Sequence, residues 1–130
     1  MTDPSRAFEV GTSAPLRAYH RLPWATDEEG ELHSHHYRVE AVVERGELDE
    51  RGMVCDLDAL DAALAETLGT LEGTDLEAIR PTDAEAVTVE ILARWLHEAL
   101  RDPVRAAGGE FLAVRVWETE SAFGGYRGPV

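Results

Sequence analysis

In HHYRVEAVVE, residues 35–44, Tyr37, Val39, Ala41 and Val43 share one parity, while His36, Arg38, Glu40 and Glu44 fill most of the other. Alternation with a period of two specifies a strand that is dry on one face and wet on the other. Such a strand needs a covering layer on its apolar face, which helices can supply. The stretch LHSHH directly before it concentrates three of the chain's five histidines at one strand end.

Two segments have the pattern of that covering layer. After the polar turn RGELDERG and a short apolar MVC, read as a brief third strand, Leu57, Leu60, Leu64, Leu68 and Leu71 recur at three- and four-residue steps. This is the stripe of an amphipathic helix, with Asp56 placed to cap it. A second helix is expected from PTDAE, where Thr82 and Glu85 have the spacing of a reciprocal capping box. Val87, Ile91 and Trp95 continue it, and Pro103 should end it. Residues 6–20 read as an extended region, a strand or a hairpin, broken by the turn formers between Gly11 and Pro15. In FLAVRVWET, Leu112, Val114 and Val116 share a strand face that Glu118 then continues with a carboxylate. The order gives an α+β fold, helices on one face of an antiparallel sheet, rather than a doubly wound one.

At 130 residues the chain suits a single domain, 1–130. Its formal net charge of −14 disfavours nucleic acid and anionic membrane as partners, so a small molecule or a protein is expected. No apolar stretch approaches the roughly 20 residues of a membrane span, and MTDPSRAFEV lacks the features of a signal peptide, so a cytoplasmic protein is expected. Cys55 is the only cysteine and permits no internal disulfide.

On a strand, His33 and His35 project to the same side and His36 to the other. A catalytic zinc takes about three protein ligands and keeps a position open, and His20, ending the first extended region, is the natural third. His97 reads as a helix-surface residue. The spacing alone is equally that of an incidental His-x-His pair.

The segments AYHRLP, LHSHHYRVEAVVE, LDERGMVCDLDAL, PTDAEAVTVEIL and VRVWET together resemble the 6-pyruvoyl-tetrahydropterin synthase and 6-carboxytetrahydropterin synthase family, in order and rough spacing over most of the chain. The resemblance implies the tunnelling fold: a four-stranded antiparallel sheet with two helices per subunit, joined into oligomeric barrels, as a trimer or hexamer. It implies zinc held by His20, His33 and His35. It also implies a pterin substrate anchored by Glu118, with Thr82 and Glu85 in the family's PT-x-E segment. A carboxylate suits that role, since it can accept two parallel N–H bonds from a pterin edge.

The departures bear on chemistry. Where the family has its catalytic cysteine, this chain has Glu29 and Glu28, and where it has an Asp-His pair, Glu72 and Gly73. Cys55 lies elsewhere and reads as a small buried residue. Ser34 and His36 replace a glycine and an asparagine. Some branches of the family carry glutamate near the cysteine position and shorten the side chain of 7,8-dihydroneopterin triphosphate. That implies a zinc-dependent lyase acting on this or a related pterin, with Glu29 as base and Glu28 as the fallback. Arg21, Arg38 and Arg80 are candidates to offset the triphosphate. The alternatives are a zinc-containing pterin- or purine-like binding protein without catalysis and an oligomeric scaffold.

Overall fold

A computed structural model describes Asp3 and residues 5–130. Four strands, β1 (Phe8–His20), β2 (His33–Arg45), β3 (Phe111–Trp117) and β4 (Phe123–Pro129), form one antiparallel sheet in the order β1-β2-β3-β4. Helices α1 (Leu57–Gly69) and α2 (Val89–Ala106) intervene between β2 and β3. Both pack on one face, burying Leu16, Val39, Val43, Leu112, Val114 and Val116 of the sheet against Leu64, Leu92, Leu96 and Leu100. The parity read from residues 37–43 is the buried parity of β2. Asp56 caps α1, accepting from the N–H groups of Asp58 and Ala59. The opposite sheet face is open and carries Arg38 over the ring of Trp117 and Arg115 over that of Phe123.

Several local expectations are corrected. β1 runs unbroken through Gly11–Pro15, pairing with β2 along its length. It is an edge strand, where the N–H that proline lacks need not break a ladder. Met53–Cys55 forms no strand: the Asp49 carboxylate accepts from the N–H groups of Arg51 and Met53, drawing the segment into a turn. Helix α2 starts at Val89, capped by Thr88, whose hydroxyl accepts from Ile91 N–H; Thr82 and Glu85 are exposed in the preceding turns and make no capping box. Pro103 lies inside α2, which continues to Ala106 with Val104 buried against the core. His97 is not a surface residue but 3% exposed, its Nε2 donating to the Gly128 carbonyl at 3.2 Å.

β4 has the sequence FGGYRGP, whose glycines and proline have little strand propensity. Its course depends on close approach: a Cβ on Gly124 would lie 2.5 Å from a Val89 methyl of α2. The missing side chain lets the last strand seat beneath the helix start.

Candidate metal centre

β1 ends at His20 and β2 begins at His33, and these two residues are register partners. His20 continues the buried stripe of Leu16 and Ala18, and His33 and His35 continue that of Tyr37 and Val39, so all three imidazoles reach the same end of the core. His36 faces the other way and is exposed. The His20–His33 and His20–His35 ring centroids are 4.6 and 4.8 Å apart.

Backbone acceptors fix two of the tautomers. Nδ1 of His20 lies 3.0 Å from the Val87 carbonyl, and Nδ1 of His33 lies 2.7 Å from that of Glu31. A carbonyl can only accept, so each Nδ1 carries the hydrogen it donates, and in the neutral ring Nε2 is left with the lone pair that faces the cluster. Nε2 of His20 is buried without a hydrogen-bond partner among the described residues. Such an orphan acceptor is costly unless something electrophilic meets it. The Nε2 atoms of His33 and His35 are 3.0 Å apart. Burial, with the neighbouring His20 and His33, holds the His35 pKa below its ordinary value against the opposing pull of Glu118 and Glu29. A neutral imidazole is the form that ligates metal.

The link between β1 and β2 brings in a carboxylate. Leu22 N–H bonds the Glu29 carbonyl at 2.8 Å, and the Asp27 carboxylate accepts from Glu29 N–H at 3.0 Å, folding Glu28–Gly30 into a short 3₁₀ turn. Oε2 of Glu29 is thereby 3.0 Å from His33 Nε2 and 4.0 Å from His35 Nε2. Ligand atoms of His20, Glu29, His33 and His35 all lie within 4.8 Å of one another. Three nitrogens converging around an orphaned lone pair fit a divalent metal such as zinc that keeps a further position open, with the Glu29 carboxylate standing beside them. Glu28, one residue earlier, is exposed and outside the cluster.

Glu118 follows β3, its N–H bonded to the Ala122 carbonyl, and its Oε1 lies 3.4 Å from His35 Nε2. It borders the centre from the β3 side. Thr82 is exposed in the turn before α2, and Thr88 holds the helix start next to Val87, whose carbonyl orients His20. Thr88-Val89-Glu90 repeats the T-x-E spacing at the true start of α2, a signal that the earlier Thr82 obscured in the sequence. Tyr37, whose ring lies 5.4 Å from that of His35, was legible only as an inward-facing strand residue. Burial, then Glu118 and Glu29, pushes its hydroxyl pKa well up, so it stays protonated.

Glu72 and Gly73 serve β1. Oε2 of Glu72 accepts from Arg17 N–H at 2.9 Å, and Gly73 N–H donates to the Arg17 carbonyl at 2.7 Å. Gly73 has φ +72°, which disfavours any side chain there, histidine included. A cavity of about 170 Å³ borders His20 and is also lined by Arg21, Leu32, Asp75, Glu77 and Val87.

The family model described as 6-pyruvoyl tetrahydropterin synthase matches residues 9–129. The chain belongs to that family. No protein of curated function matches it by sequence. Among solved structures, 6-pyruvoyl tetrahydropterin synthase of Plasmodium vivax superposes with a TM-score of 0.74 at 12% identity, covering 96% of this chain and 99% of that one. The Caenorhabditis elegans enzyme gives a TM-score of 0.68 at 23% identity, covering 95% and 96%. A variant of the Plasmodium vivax protein, in which a glutamate named as a catalytic residue is replaced by cysteine, gives 0.73 at 10% identity, covering 96% and 99%. These likenesses show the tunnelling fold of the family, one sheet backed by two helices. No helix among the described residues is long and apolar enough to cross a membrane.

Proposed function

We propose that the protein is a metal-dependent lyase of pterin metabolism that shortens the side chain of 7,8-dihydroneopterin triphosphate or a related pterin, with Glu29 in the role the family usually gives to cysteine. The observation that carries this reading is the Glu29 carboxylate 3.0 Å from His33 Nε2, inside the three-histidine cluster. The catalytic glutamate named in the Plasmodium vivax enzyme supports it.

His20, His33 and His35 would hold zinc, which when bound supplies a Lewis acid that acidifies side-chain hydroxyls and polarises a developing carbonyl. Glu118 would grip the 2-amino and N3 edge of the pterin with two parallel hydrogen bonds. Glu29 would take the proton from the C2′ hydroxyl as the C1′–C2′ bond breaks. The bond's electron pair passes into the dihydropterin ring, and a proton returned to C1′ completes 6-hydroxymethyl-dihydropterin and a two-carbon aldehyde. Glu29 is 43% exposed at its side chain, so solvent and a fitting ligand can both reach it. Family precedent and the open strand edges favour a trimer or hexamer, since an unpaired edge tends to find a partner.

A pterin-binding protein without turnover is the second reading, favoured by Glu72 and Gly73, whose bonds to Arg17 leave no Asp-His relay in that loop. Incubating zinc-loaded protein with 7,8-dihydroneopterin and with its triphosphate, with products resolved by mass, decides between them. Loss of the two-carbon fragment supports the lyase, and binding without any product supports the second reading.

A further inference from the structure

Glu29 stands as close to a histidine nitrogen as two of those nitrogens stand to each other. Its Oε2 is 3.0 Å from His33 Nε2 and 4.0 Å from His35 Nε2, beside 3.0 Å between those two nitrogens. Around a four-coordinate ion with bonds of about 2.1 Å, ligand atoms lie about 3.4 Å apart. The carboxylate oxygen is therefore at ligand spacing.

The contact is unfavourable without a cation. A carboxylate oxygen only accepts, and in neutral His33 the Nδ1 hydrogen goes to the Glu31 carbonyl, which leaves Nε2 an acceptor too. Two acceptors 3.0 Å apart repel. A proton on His33 would relieve that pair but not the buried Nε2 of His20, and among the described residues no arginine pairs with Glu29. One metal ion among the four atoms satisfies them all. All four residues belong to β1, β2 and the link between them, so the set is complete within one subunit of any assembly.

The backbone of Glu29 is anchored at both polar groups: its N–H donates to the Asp27 carboxylate at 3.0 Å, and its carbonyl accepts from Leu22 N–H at 2.8 Å. The turn is also tight at the next residue, where a Cβ on Gly30 would lie 2.4 Å from the Ala25 carbonyl oxygen. Movement of the carboxylate must then come from side-chain rotation between staggered rotamers. The side chain is 43% exposed, so it has solvent to turn into.

We infer that, without pterin bound, Glu29 closes the fourth position on the metal held by His20, His33 and His35, and that an arriving side-chain hydroxyl displaces it. One oxygen ligand replaces another, and the freed carboxylate lies beside the hydroxyl whose proton it takes. The base is released only when a ligand is present, and water is kept out of the empty site. The inference rests on the metal and pterin reading above and adds how that site is regulated.

The test is the visible absorption of cobalt(II), which takes the same nitrogen and oxygen ligands, loaded in place of zinc into the full chain and into Glu29→Ala. Each is recorded alone, with saturating neopterin, and through a titration with imidazole. Both proteins should hold cobalt on the three histidines. Their spectra should differ without ligand, with Glu28→Gln matching the unmodified protein, and should coincide once neopterin is bound. Imidazole, an uncharged ligand, should bind Glu29→Ala at least about tenfold more tightly, because no carboxylate has to leave first. Identical spectra before any ligand is added would overturn the inference, as would a difference that neopterin leaves in place. If neopterin does not bind, the pterin reading falls, and the imidazole comparison decides the inference alone, equal affinities overturning it. Failure of the unmodified protein to take up cobalt would contradict the metal centre itself and this inference with it.

Discussion

Replacing Thr88 with alanine tests where α2 begins. The Thr88 hydroxyl accepts from Ile91 N–H at 3.2 Å, satisfying one of the helix's four orphan donors. Removing a threonine cap costs about 1 kcal/mol, since that donor must find water at a half-buried position. Spread over the unfolding entropy of a chain this size, the loss corresponds to a fall in Tm of about 4 °C. Thr82→Ala and Glu85→Ala remove exposed side chains that cap nothing, so each should shift Tm by under about 2 °C. The assay is thermal unfolding of the metal-free protein followed by circular dichroism, which avoids stabilisation by bound metal. A larger loss from Thr82→Ala than from Thr88→Ala would refute this helix boundary.

Three further outcomes are expected. His97→Ala removes a buried imidazole and its bond to Gly128 O, and should cost about 2–3 kcal/mol in urea denaturation while zinc content stays unchanged. Glu118→Gln should weaken neopterin binding about tenfold without loss of metal, because the amide offers one acceptor where the pterin edge presents two donors. Burial, and then Asp56, pushes the Cys55 thiol pKa up; its stability contribution is therefore full below the ordinary thiol value and lost as pH rises through the raised one. Alkylation of Cys55 near neutral pH should accordingly be slow in the native protein and rapid once urea unfolds it.

Period-two and helical patterning made β2, α1 and the buried face of β3 legible, because in each case one residue parity or stripe carries the burial. The strand geometry also aligned His33 with His35, and the register of β1 against β2 brought His20 to them. What escaped depends on contacts distant in sequence. β4 is a strand because Gly124 fits under Val89, which no local propensity records. Thr82 has the same capping chemistry as Thr88, and tertiary packing decides between them. His97 looked like a surface residue because its partner, the Gly128 carbonyl, belongs to the unrecognised strand. Glu29 and Glu28 are adjacent and chemically alike, and only the turn closed by Asp27 shows which one faces the histidines.

The most direct test of the proposed chemistry is the turnover of 7,8-dihydroneopterin by zinc-loaded Glu29→Gln beside the unchanged protein, with metal content and pterin affinity measured on the same samples. The substitution keeps size and polarity but removes the base, so kcat should fall by about 100-fold or more while zinc and pterin binding are retained. Full activity in Glu29→Gln, or full activity there with loss in Glu28→Gln, would contradict the assignment of Glu29 as the base.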